Sequence, residues 1–243
     1  MDPSNSASPS TDKAGILLPP SLEHARITTL PQTAYYIPDF ITEEEERVIL
    51  EKISSAPKPR WKQLTKRRLQ TWPSDLVNNK LLDAPLPAWL QDPVVSRLLS
   101  LPAQDFETGH IFEKSPHKKP NHDGSAYFSV VCTVSLGASL CLNLHRSKDD
   151  GALDPVPTWR ILQEPRSLLI TTDQLYTDYL HGIADIEEDV DLDVGTVANW
   201  DLLRSPGAYA SGRNVRQTRT SLTYRDVLQV SKVANKLGMF LKR

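Results

Sequence analysis

The sequence predicts an α+β domain whose core is a β-sandwich or barrel. Two observations carry this: helical signals come first along the chain, and from Tyr127 onward the apolar period turns to two. The ordered part opens with a strand-like segment, Ala34-Tyr35-Tyr36-Ile37, closed by Pro38 and Asp39. Thr42 then starts a helix. Its hydroxyl is placed to cap the first turn and Glu45 stands three residues on, the pattern of a capping box. Glu43, Glu44, Glu45 and Glu46 favour the positive end of the helix dipole. Val48, Ile49, Leu50 and Ile53 supply an apolar stripe, and Ala56-Pro57-Lys58-Pro59 ends the helix. A second helix is expected over 89–99.

In the later half, 127–136 and 139–144 alternate and are rich in β-branched residues, so they read as neighbouring strands of a hairpin turning at Gly137. Residues 166–172 read as another strand, followed by an irregular or helical piece over 173–178. The acidic stretch 185–193 reads as a solvated loop, 205–212 as a Gly/Pro/Ser loop, and 218–227 as a late strand. There is no internal repeat.

Hydrophobic residues make up 39% of the chain and charged residues 24%, ordinary values that allow a real core. A formal net charge of −2 excludes a global pull toward polyanions, so any nucleic-acid contact must come from a local basic patch. The two cysteines, Cys132 and Cys141, lie in alternating apolar runs. They are too few for a disulfide framework, fit a reducing compartment and read as core residues. No apolar run approaches a membrane span. Residues 1–13 are rich in Ser, Pro and Asp without an apolar stretch, unlike a secretory signal. Residues 1–33 are therefore expected to be a disordered arm, and the protein to reside in cytoplasm, nucleus or both.

Three features could carry chemistry. His181 lies in Tyr179-Leu180-His181-Gly182-Ile183, where an imidazole is either a packed hydrogen-bonding group or a metal ligand. Asp123 precedes Gly124 and serves either a turn or a metal. Arg219, Ser221, Thr223 and Arg225 share one strand face. That face is either an edge with solvated charges or a site for an anion, because a buried guanidinium needs one. Two His and one carboxylate form the facial triad that holds non-haem iron(II) with positions left open. A dicarboxylate co-substrate needs a cation at its far end, and Arg supplies a bidentate fork.

The run of motifs makes the resemblance specific. The chain resembles the AlkB family of iron(II)- and 2-oxoglutarate-dependent dioxygenases, and within it the sixth-homologue branch. The matching segments are Tyr35-Tyr36-Ile37-Pro38-Asp39-Phe40, Ala56-Pro57-Lys58-Pro59-Arg60-Trp61, Arg68-Leu69-Gln70-Thr71-Trp72 and Leu86-Pro87-Ala88-Trp89-Leu90. They continue through Val131-Cys132-Thr133-Val134-Ser135-Leu136-Gly137, Glu164-Pro165-Arg166-Ser167-Leu168, Leu180-His181-Gly182-Ile183 and the Arg219 to Arg225 strand. The resemblance implies a double-stranded β-helix (jelly-roll) core flanked by N-terminal helices. It makes 34–243 a dioxygenase-like domain with its catalytic core at about 100–230. His181 would be the later iron ligand and Asp123 the carboxylate ligand. Arg219 would pair with the distal carboxylate of 2-oxoglutarate, Ser221 would belong to the same co-substrate site, and Arg225 would lie near the reacting centre and the co-substrate's other end. The family hydroxylates C–H bonds with oxygen and 2-oxoglutarate; on an N-methyl group the product breaks down to formaldehyde.

One motif departs from the family. Where the family has Pro-His-x-Asp-Gly, this chain has Pro120-Asn121-His122-Asp123-Gly124. Asn121 occupies the first ligand position, and an amide oxygen is a poor iron(II) ligand. His122 stands one place late and on a strand would face away from Asp123. The flanks read as though an upstream Pro-Asn-His run were joined directly to the downstream Asp-Gly, with on the order of fifteen residues missing, a strand and a turn in length. His110, His117 and His122 are the candidate stand-ins.

Substrate signals are local. Lys62, Lys66, Arg67 and Arg68 are placed to grip phosphates while Trp61 or Trp72 stacks on a base. The alternative is a solvated basic face over core tryptophans. Three functions remain open at this point: an oxygenase acting on alkylated DNA, RNA or protein, a catalytically silent AlkB-like binding module, and a metal-free interaction domain.

Overall fold

The computed structural model describes residues 16–30, 33–101, 127–146, 154–172, 175 and 178–231. The first strand, β1, is Ala34–Ile37, and the capped helix α1 is Glu43–Ser54. The capping box forms as the sequence predicts. Thr42 Oγ1 accepts from the Glu45 N–H at 3.1 Å, and Glu45 Oε2 accepts from the Thr42 N–H at 2.8 Å.

Two short hairpin arms follow, β2 (Lys62–Gln63) with β3 (Arg68–Leu69), and β4 (Leu76–Val77) with β5 (Lys80–Leu82). The second predicted helix is broken into α2 (Ala88–Leu90) and α3 (Ser96–Ser100). The break lies at Asp92, which is extended (φ −111°, ψ 131°) ahead of Pro93. Proline has no N–H to continue the ladder and disfavours helical backbone in the residue before it.

The β-rich half comprises β6 (Tyr127–Leu136), β7 (Leu140–Arg146), β8 (Trp159–Gln163), β9 (Leu168–Thr172) and β10 (Tyr179–Gly182). Then come β11 (Glu188–Asp189), β12 (Asn214–Val215), β13 (Thr220–Val227) and β14 (Val230–Ser231). A larger sheet has the order β1-β9-β6-β13 and a smaller one β10-β7-β8. Both are antiparallel throughout.

The alternation of side chains explains the layering. Tyr35, Ile37, Cys132, Val134, Leu168 and Ile170 of the larger sheet pack against Ile49, Ile53, Val94 and Leu98 of the helical side. Tyr36 and Leu169, one residue out of phase, pack instead against Leu142, Leu144 and Ile161 of the smaller sheet. The larger sheet is therefore covered by helices on one face and by the smaller sheet on the other. Each fully buried Leu or Ile in these layers contributes about 1.5–3 kcal/mol before the entropy of ordering is charged.

Three expectations are corrected. Strands β6 and β7 do not form a hairpin; they belong to different sheets. Gly137, at φ +84°, turns the chain from one layer into the other, and a Cβ there would lie 2.9 Å from the Thr218 carbonyl oxygen. The arm expected to be disordered up to residue 33 is ordered over 16–30. It carries a 3-10 turn at Leu22–Ala25, and Leu22, Ala25, Ile27 and Leu30 are buried. The acidic loop is not wholly solvated. Asp189 is 1% exposed and lies in β11, which pairs with β12.

Candidate functional site

The space between the sheets is where the late strand brings its polar face. In β13, Ser221, Thr223 and Arg225 lie opposite Ser135, Thr133 and Val131 of β6. Leu222 and Tyr224 point the other way and pack on the helix-side core. Paired residues share a face, so the Ser221 row looks toward the smaller sheet.

Arg219 enters this space just before β13. Its Nη2 donates to Ser135 Oγ and to Gln163 Oε1, both at 2.8 Å, and Ser135 Oγ donates to Gln163 Oε1 at 3.0 Å. Ser135 and Gln163 are 0% and 2% exposed. The Nε of Arg219 is buried and has no hydrogen-bond partner among the described residues. Burial pulls the guanidinium pKa down to about 10, and the nearby Tyr36 hydroxyl opposes this weakly. The acceptors around Arg219 are neutral, so its positive charge is held without a carboxylate among the described residues.

His181 comes from β10, opposite Leu144, so it shares the inward face with that core residue. Its Nε2 lies 2.9 Å from the Leu175 carbonyl oxygen. A carbonyl only accepts, so Nε2 carries the proton and Nδ1 keeps its lone pair. Partial burial holds the pKa below the ordinary imidazole value, the Leu175 hydrogen bond opposes this, and the charge of Arg225 adds to the lowering. The neutral ring, the form able to ligate a metal, is thereby favoured. Arg225 itself sits 5.3 Å over the Tyr127 ring.

The structure thus holds Arg219 between the two sheets, while Ser221 and Arg225 are exposed on the edge strand β13, Arg225 near enough to His181 for its charge to be felt there. Asp123 and His122 lie outside the described residues, as do His110 and His117. Among the described residues no group of three His, Cys, Asp or Glu side chains could hold a metal ion. Sequence reasoning missed Gln163, Ser135 and Tyr36. Their signal was a polar atom at an inward strand position, visible once the register of β6, β8 and β1 is known.

The basic segment follows the alternative of a basic face over packed tryptophans. Trp72 is boxed in: Arg60 covers its ring at 4.1 Å, Trp89 meets it edge-on at 5.8 Å, and its Nε1 donates to Gln70 Oε1. Arg68 covers Trp61 at 4.2 Å, and Trp61 packs on the helix-side core. Lys62 pairs with Asp75 and Lys66 with Asp185, each at 2.5 Å. The tryptophan faces are occupied by arginines, which argues against base stacking on them in this conformation. Cys132 and Cys141 are buried free thiols whose pKa values burial raises, to about 11 for Cys141, as core residues require. No helix among the described residues is long and apolar enough to cross a membrane.

A mostly antiparallel β architecture with few helices and a polar strand face between its sheets is consistent with a jelly-roll-like AlkB fold. No protein-family model matches the sequence. A curated protein of Danio rerio, "Probable RNA/DNA demethylase ALKBH6", is 35% identical over 229 residues, covering 89% of this chain and 95% of that protein. The chain belongs to the AlkB family, in its ALKBH6 branch.

Proposed function

We propose that this chain is an iron(II)- and 2-oxoglutarate-dependent dioxygenase that demethylates an alkylated nucleic acid. The observation that carries the reading is Arg219, a buried guanidinium between the sheets whose partners among the described residues are neutral and leave its Nε without an acceptor. A fixed buried cation without an anion is a receptor for one. The distal carboxylate of 2-oxoglutarate fits it, with Ser221 beside it and Arg225 toward the co-substrate's other end. His181, favoured in its neutral form with the lone pair on Nδ1, suits the imidazole ligand of a facial triad whose carboxylate is Asp123, with His122 as the candidate third ligand. Bound iron(II) would supply oxygen activation. The residues of this chain orient the co-substrate and keep its charged end away from water.

A nucleic-acid substrate is supported by the name given to the Danio rerio relative and by the exposed Arg67 and Arg68 on the β2–β3 arm. Protein substrates remain the family's other class. Succinate formation from 2-oxoglutarate, with iron(II) and an N-methylated oligonucleotide, is the test. Turnover with release of formaldehyde is expected, and Arg67→Ala should weaken oligonucleotide binding most at low salt. A second reading rests on Asn121, which stands where the family has its first ligand. If 2-oxoglutarate binds but no succinate forms, the chain is a silent AlkB-like binding module.

A further inference from the structure

We propose that Gln163, acting with Ser135, is a specificity-determining positioning residue: it fixes the Arg219 guanidinium with neutral acceptors and so reserves its charge for the far carboxylate of the co-substrate. The inference rests on the reading of Arg219 given above and goes beyond it to the residue that sets its selectivity.

Four other partly buried arginines are held by carboxylate side chains, whereas Arg160 donates to the backbone carbonyls of Val190 and Asp191. Arg97 is held by Glu45, Arg166 by Glu46, Arg204 by Asp39 and Arg216 by Asp189. Among the described residues, the side chains that hold Arg219 are uncharged, unlike those that hold these four. The position taken by a carboxylate in the other four is taken here by the amide oxygen of Gln163, 2.8 Å from Nη2. Gln163 is itself anchored: it accepts from Ser135 Oγ, and its place opposite Leu140 in β8 fixes it on the inward face. The amide gives Arg219 direction without neutralising it. A carboxylate one atom different in chemistry would give direction and cancel the charge.

The distinction is measurable through ligand choice. The full-length chain, with manganese(II) in place of iron(II), is titrated calorimetrically with 2-oxoglutarate and with 2-oxopentanoate, which lacks the distal carboxylate. The wild type should prefer the dicarboxylate strongly. Gln163→Glu should lower 2-oxoglutarate affinity by at least roughly 30-fold, bring the preference near unity, and leave the urea midpoint unchanged or raised. Gln163→Met, which removes the acceptor but adds no charge, should keep the preference within a few-fold of wild type. The inference is overturned if Gln163→Glu retains the preference, if Gln163→Met loses it as completely, or if lost binding tracks a lowered urea midpoint. A wild type that binds neither ligand would instead remove the co-substrate reading itself.

Discussion

Arg216 and Arg219 stand three residues apart and meet opposite fates. Arg216 is closed: its Nη2 and Nε reach Asp189 Oδ1 at 2.6 and 3.1 Å, and its Nη1 donates to the Ala184 carbonyl. Asp189 also accepts from the Cys141 N–H and from Asn214, so the pair and its hydrogen bonds satisfy one another. Arg219 is open: among the described residues its neighbours are neutral and its buried Nε has no acceptor. The same residue type serves as mortar in one place and as a waiting receptor in the other. What separates them is the charge of the side chain that the neighbouring strands deliver.

The largest expected effect tests the closed pair. Asp189→Ala should cost about 3–5 kcal/mol, because it strands a buried guanidinium, and urea unfolding would register it. Arg219→Met is the converse. It should abolish 2-oxoglutarate binding, a loss of roughly 100-fold or more, while urea stability stays level or rises, since no ion pair is broken. If both substitutions destabilise equally, the contrast between the two arginines is void. Gly137→Ala should cost about 1–3 kcal/mol, since φ is +84° and the new methyl would press on Thr218, next to Arg219. Its binding loss should exceed that of a surface change of equal stability cost.

The smallest effect lies on the helical side. Burial pushes the Glu45 carboxyl up, but hydrogen bonds from Arg97 and the Thr42 backbone outweigh this and hold its pKa below the usual range. A carboxyl depressed in the folded state adds stability above its unfolded pKa and loses it as pH falls through the folded one. Stability should therefore be flat near neutrality and decline in acid, less steeply in Arg97→Met, as pH-dependent urea midpoints would show.

Local physics made much of this legible. Thr42 and Glu45 announced the helix start, and the alternation of 127–136 announced β6 to its last residue. Partner choice was not legible. Alternation identifies a strand but not the strand beside it, so the glycine at 137 read as a hairpin turn although it passes the chain between layers. Asp189 was hidden for the same reason: within an acidic run nothing marks the one carboxylate that a later arginine will bury. The polar face of the late strand was visible as a pattern; β13 proves to be an edge strand with Ser221, Thr223 and Arg225 exposed, and Gln163 and Ser135, which hold the Arg219 that precedes it, are remote in sequence. Asp123 and His122 lie outside the described residues, so the metal half of the site is carried by the motif alone.

The order of the larger sheet also governs how the chain is made. β1 lies beside β9, with Ile37 opposite Leu168, so roughly 130 residues must leave the ribosome before the first strand meets its neighbour, a wait on the order of ten seconds at typical synthesis rates. Throughout that interval Tyr35, Tyr36 and Ile37 have no sheet to enter. A nascent chain of this design is expected to depend on chaperone cover until its second half is complete, and to accumulate slowly when translation outpaces that supply.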